Sequence, residues 1–143
     1  MKIAIGNDHA GVEHKNEIIL FLELKKNEVI NFGTDSEESV DYPDHIHPVS
    51  NYISNTPNSL GIIICGSGNG AAMTANKNQN IRAALCWNNE LSRLSREHNN
   101  ANIISIPARF VSVEEAIKMV KIFISTKFEG GRHQNRVKKI PCN

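Results

Sequence analysis

Short apolar runs alternate along the chain with segments of helical length and periodicity. Residues 2–6, 28–32, 60–65, 82–86 and 102–106 predict five strands, and 10–26, 42–55, 70–76 and 88–99 predict helices between them. Leu60-Gly61-Ile62-Ile63-Ile64-Cys65 is apolar on consecutive positions apart from its glycine, as a strand covered on both faces requires. After the fifth strand, Ser112-Val113-Glu114-Glu115 forms a capping-box sequence. Ala116, Ile117, Val120, Phe123 and Ile124 follow at helical spacing. Strand–helix alternation of this kind predicts a parallel sheet with right-handed crossovers: a Rossmann-like, three-layer α/β/α sandwich with a five-stranded parallel sheet. Residues 1–143 are expected to form one domain, with 130–143 as a polar, basic C-terminal arm.

Composition changes this picture little. At 143 residues, 40% hydrophobic and 22% charged, the chain is long enough to bury a core without a metal or disulfide staple. A net charge of +1 gives no overall field to recruit nucleic acid or an anionic membrane. Cys65, Cys86 and Cys142 are an odd, sparse set without metal-ligand spacing, which argues for a reducing compartment. No apolar run approaches the ~20 residues that span a bilayer. The chain is therefore expected in the cytoplasm.

In an open parallel sheet, ligands bind beyond the carboxyl ends of the strands. That edge receives Asn7-Asp8-His9, Gly33-Thr34, Cys65-Gly66-Ser67-Gly68-Asn69-Gly70, Trp87-Asn88 and Pro107-Ala108-Arg109. Alternating glycines between a strand and a helix let the backbone approach an anion closely, whether a phosphate or an enolate oxygen. The plainer alternative is a tight turn with no ligand. The loop also matches the G-x-G-x-x-A dinucleotide pattern. However, it follows the third strand, and no acid stands in Cys86-Trp87-Asn88-Asn89, where the ribose would need one.

Cys65 precedes a helix start that would favour its thiolate, making it a candidate base or nucleophile; it reads equally well as a buried apolar thiol. Asp8 and His9 suit either a helix cap or contacts to sugar hydroxyls. His98, near a helix C-terminus, is either packed beside Leu91 and Leu94 or a proton donor. Arg109, Arg132 and Arg136 offer guanidinium groups for a phosphate, or a solvated basic tail. A metal at Asp41-Tyr42-Pro43-Asp44-His45-Ile46-His47 is disfavoured, because histidines two apart diverge on a helix.

Taken together and in order, these segments resemble the type B ribose-5-phosphate isomerases, whose family also contains galactose-6-phosphate isomerase subunits. The matching runs are Ile5-Gly6-Asn7-Asp8-His9-Ala10-Gly11, Asp41-Tyr42-Pro43, Ile64-Cys65-Gly66-Ser67-Gly68-Asn69-Gly70 and Ala75-Asn76-Lys77. Ile81-Arg82-Ala83-Ala84, Glu97-His98-Asn99, Asn102-Ile103-Ile104 and Phe128-Glu129-Gly130-Gly131-Arg132-His133-Gln134-Asn135-Arg136 complete them. The resemblance implies interconversion of D-ribose 5-phosphate and D-ribulose 5-phosphate in the non-oxidative pentose phosphate pathway, with no cofactor or metal. It implies Cys65 as the base and His98 in ring opening, with Ser67 also catalytic. Asp8, His9, Tyr42 and Asn99 would contact substrate, and residues 66–70 would hold the enediolate. Arg109, Arg132 and Arg136 would take the phosphate.

A homodimer or dimer of dimers with shared sites is implied as well. Ser67 stands where many members carry Thr. Ala71 stands where a subgroup without the cysteine carries its glutamate base. The alternative is a galactose-6-phosphate or allose-6-phosphate isomerase; the presence of His98 favours the ribose enzyme.

Overall fold

A computed structural model describes residues 1–142. Asn143, the last residue of the expected arm, lies outside the described residues. The strands are β1 (Lys2–Asn7), β2 (Glu28–Asn31), β3 (Leu60–Cys65), β4 (Ala83–Leu85) and β5 (Ile103–Pro107). All pair in parallel in the order β2-β1-β3-β5-β4. The helices are α1 (Val12–Leu24), α2 (Tyr42–Asn55), α3 (Asn69–Ala75), α4 (Asn89–Glu97), α5 (Val113–Ser125) and α6 (Arg132–Lys138).

Side chains alternate across the central strands β1, β3 and β5, and both sets are mainly apolar and buried, so the middle of the sheet is covered on both faces. Ile3, Ile5, Ile62, Ile64, Ile104 and Ile106 pack against Ile18 and Leu22 of α1 and Met119, Val120 and Phe123 of α5. Ala4, Ile63, Cys65 and Ile103 face the other layer, with Ile46, Val49 and Ile53 of α2 and Ala71 and Ala75 of α3. This is the three-layer sandwich that the alternation predicts.

The expected boundaries shift in three places. Asp8 Oδ1 accepts the Ala10 N–H at 2.9 Å, so a 3-10 turn over His9–Gly11 precedes α1. The Arg82 N–H is taken by Asn102 Oδ1 at 2.8 Å, and β4 at the sheet edge is correspondingly short. The C-terminal arm carries a helix, α6, and the Cys142 N–H returns to Gln79 Oε1 at 2.6 Å.

β1 has β2 on one side and β3 on the other, so chain direction across the sheet reverses between β1 and β3. That topological switch point opens a crevice at the carboxyl edge. The Asp8 N–H donates to Ile64 O at 3.1 Å, pinning the end of β1 beside the end of β3.

Candidate active site

Cys65 closes β3 and is 4% exposed, directed toward the α2/α3 layer. The loop after it is held from two sides. The Ala108 N–H donates to Cys65 O at 2.9 Å and the Arg109 N–H to Gly66 O at 3.0 Å. Gly68, at φ +75°, is left-handed, which an L side chain resists. Its carbonyl accepts the buried Ser105 hydroxyl at 2.7 Å and the Ala72 N–H at 3.1 Å. Gly70 lies against the Tyr42 ring so closely that an added methyl would overlap it. The N–H groups of Ser67, Gly68 and Gly70 have no protein acceptor among the described residues. Unpaired N–H groups in a Gly-rich turn ahead of a helix are donors of the kind that can hold an oxyanion.

The remaining carboxyl-edge residues close around this loop. The Arg109 side chain packs over Gly66. Asp8, His9 and Tyr42 line one cleft with Val40, Asp41, Pro43 and Asp44. His9 Nδ1 accepts the Val40 N–H at 3.2 Å, so a neutral ring carries its proton on Nε2. Ser67 Oγ accepts the Asn69 N–H at 3.3 Å, leaving its own hydrogen free to donate. Ser67 and Asn69 also border an apolar surface made by Leu85, Trp87, Pro107 and Phe110.

The other predicted residues lie elsewhere. α4 begins at the carboxyl edge and runs nine residues, roughly 13 Å, toward the opposite edge of the sheet. His98 caps its far end, and Asn99 borders Arg82, Ala83 and Ala101 at the amino ends of β4 and β5. Arg132 and Arg136 lie on α6, whose His133 ring stacks on His98 with centroids 4.3 Å apart. The fold thus gathers Asp8, His9, Tyr42, Cys65, Gly66, Ser67, Gly68, Asn69, Gly70 and Arg109. It collects His98, Asn99, Arg132 and Arg136 into a second group at the other end of α4.

Two features escape a reading by motif. Glu129 and His133, four apart, converge on His98. Burial, His98 and Arg132 together hold the His133 imidazole below its ordinary pKa. Lys15 is fully buried; its ammonium donates to Thr34 O at 2.7 Å and pairs with Asp35. It thereby holds the loop that carries Val40 to His9. A lone lysine within a helix gives no sequence signal for that role. His45 and His47 diverge on α2, with His45 Nδ1 spent on Phe32 O at 2.9 Å. Burial pushes the Cys86 thiol up to about 11, consistent with a structural role.

A parallel α/β sheet with a cysteine and a Gly-rich loop beside its topological switch point defines a Rossmann-like class of protein. The sequence model of the Ribose/Galactose Isomerase family matches residues 3–140, and the chain belongs to that family. A probable ribose-5-phosphate isomerase B of Mycoplasma pneumoniae is 45% identical over 139 residues, covering 96% of this chain and 91% of that protein. The solved ribose-5-phosphate isomerase B of Clostridium thermocellum superposes with TM-score 0.95 at 46% identity, covering 98% of this chain and 95% of that one. The enzyme of Mycoplasma genitalium, solved with bound ribulose-5-phosphate, superposes with TM-score 0.93 at 40% identity, covering 97% and 93%.

Proposed function

We propose that this chain is an aldose–ketose isomerase that interconverts D-ribose 5-phosphate and D-ribulose 5-phosphate. The observation that carries it is the pairing of Cys65 with the donor-lined loop of Ser67, Gly68 and Gly70 at the switch point. Isomerisation moves one proton between adjacent carbons and develops negative charge on oxygen, so it needs a base and an oxyanion site. In the aldose-to-ketose direction the Cys65 thiolate removes the proton from C2. The electron pair passes into an enediolate, and the same thiol returns the proton to C1.

The loop N–H groups stabilise the charge on the enediolate oxygens. The Ser67 hydroxyl, already an acceptor from Asn69, donates to one of those oxygens and shuttles the hydroxyl proton. Asp8 keeps one carboxylate oxygen for a sugar hydroxyl, since the other caps the 3-10 turn. His9 donates from Nε2, and Tyr42 walls the sugar. Arg109 binds phosphate together with Arg132 and Arg136.

His98 donates a proton to the furanose ring oxygen, and Asn99 binds the substrate beside it. Both lie at the far end of α4 from Cys65 of the same chain. The reading therefore takes the working unit as a homodimer, or a dimer of dimers, in which one chain supplies Cys65 and the other His98, Asn99, Arg132 and Arg136. The exposed Trp87 and Phe110 beside Ser67 supply apolar surface for that contact. The three free thiols Cys65, Cys86 and Cys142 support work in the cytoplasm. No described helix is long and apolar enough to cross a membrane.

A coupled assay of ribulose 5-phosphate formation from ribose 5-phosphate tests the reading. Turnover with and without a chelator is the expected result, and faster turnover of galactose 6-phosphate would transfer the assignment to the six-carbon substrate.

A further inference from the structure

His98 Nε2 lies 3.9 Å and His133 Nε2 3.8 Å from the same oxygen, Glu129 Oε2. All three donor atoms fall within 4.8 Å of one another. The backbone fixes this convergence. The Glu129 N–H donates to Glu97 O at 3.1 Å, next to His98, and the His133 N–H to Gly130 O at 3.1 Å. The two rings stack at an interplanar angle of 14°, presenting their Nε2 atoms to one carboxylate. Neither imidazole nor the carboxylate is engaged in a hydrogen bond to another side chain among the described residues.

We propose that His98, Glu129 and His133 form a binding site for Zn2+ or a similar borderline divalent transition metal. Two imidazoles and one carboxylate form a donor set that Zn2+ prefers, at about 2.0–2.2 Å from each atom with water in the fourth position. Tetrahedral ligation brings donors to about 3.4 Å separation. An imidazole ligates within its own ring plane, so the half-exposed His98 ring must turn out of its stack on His133 as the ion binds. The His98 and Glu129 side chains are 37% and 53% exposed, which leaves an entry path and room for the water. Arg132 and Arg136 stand on the same helix as His133, and their charge weakens cation binding relative to a structural zinc. The metal is an inhibitor here and not a cofactor, because it occupies the imidazole assigned to ring opening. That consequence rests on the isomerase reading; the binding itself does not.

Titration of the full chain with Zn2+ against a chromophoric chelator tests the binding. One ion per chain is expected, with affinity falling roughly tenfold or more in Glu129→Gln and in His133→Gln. Affinity is expected to hold in Cys65→Ser and Cys142→Ser. Co2+ should give tetrahedral visible bands without a sulfur charge-transfer band. Circular dichroism of each variant controls for folding, and the exposed Glu129 makes its variant the safer one. Absence of binding below millimolar Zn2+ would overturn the proposal. So would binding that survives both the Glu129 and His133 variants, or that disappears with either cysteine. Reversal of inhibition by a chelator reads the consequence separately.

Discussion

Lys15 has no exposed surface, and its ammonium is satisfied by the Thr34 carbonyl and the Asp35 carboxylate at the mouth of the 33–41 loop. A hydrogen bond from that ammonium and its charge hold the Asp35 carboxyl below the usual 3.8. A depressed carboxyl pKa contributes stability that is present above the unfolded value and lost as pH falls through the folded one. Asp35→Asn should therefore lower Tm at pH 7, and the gap from the unsubstituted protein should close as melts are taken progressively below pH 3.8. Cys65→Ala should abolish turnover, on the order of a thousandfold or more, with an unchanged circular dichroism spectrum. Surviving turnover would remove Cys65 from the base's role. At Gly70 even a methyl must displace Tyr42. Gly70→Ala should raise KM and lower kcat/KM at least ~10-fold, while overpacking costs only about 1–3 kcal/mol.

The elements show which kinds of information a sequence carries. Ser112 and Glu115 form the complete reciprocal capping box that their spacing announces, with the Glu115 N–H on Ser112 Oγ at 3.1 Å. Ser112→Ala should cost about 1 kcal/mol, a fall of roughly 3 °C in Tm, and leave kinetics unaltered, since α5 lies in the packing layer. β3 and α5 were legible because burial on both faces and helical periodicity are local patterns. The carboxyl-edge loops were legible because strand polarity alone fixes where they emerge. The convergence of Glu129 and His133 on His98 was not, because it depends on how α6 returns to the end of α4. Lys15 was hidden for the same reason: its partners lie 19 and 20 residues along the chain, in a loop without periodicity. The spacing of Arg132 and Arg136 was readable, but their distance from Cys65 follows only from the direction of α4.

At the scale of the whole molecule, the division of predicted residues between the two ends of α4 makes a specific demand. Cys65→Ala and His98→Gln should each be inactive on the cyclic sugar, since each damages every site. Mixing them under conditions of subunit exchange should restore about a quarter of normal activity, because half the dimers are hybrids with one intact site. No recovery, with exchange confirmed by mass, would mean that each chain completes its own site. The same separation ties chemistry to concentration. On the dimer reading, dilution that separates the protomers parts Cys65 from the chain that supplies His98, Asn99, Arg132 and Arg136. Specific activity should then fall with enzyme concentration along a curve that reports the dissociation constant, and a substrate locked open should share that fall, because the arginines assigned to its phosphate leave with His98.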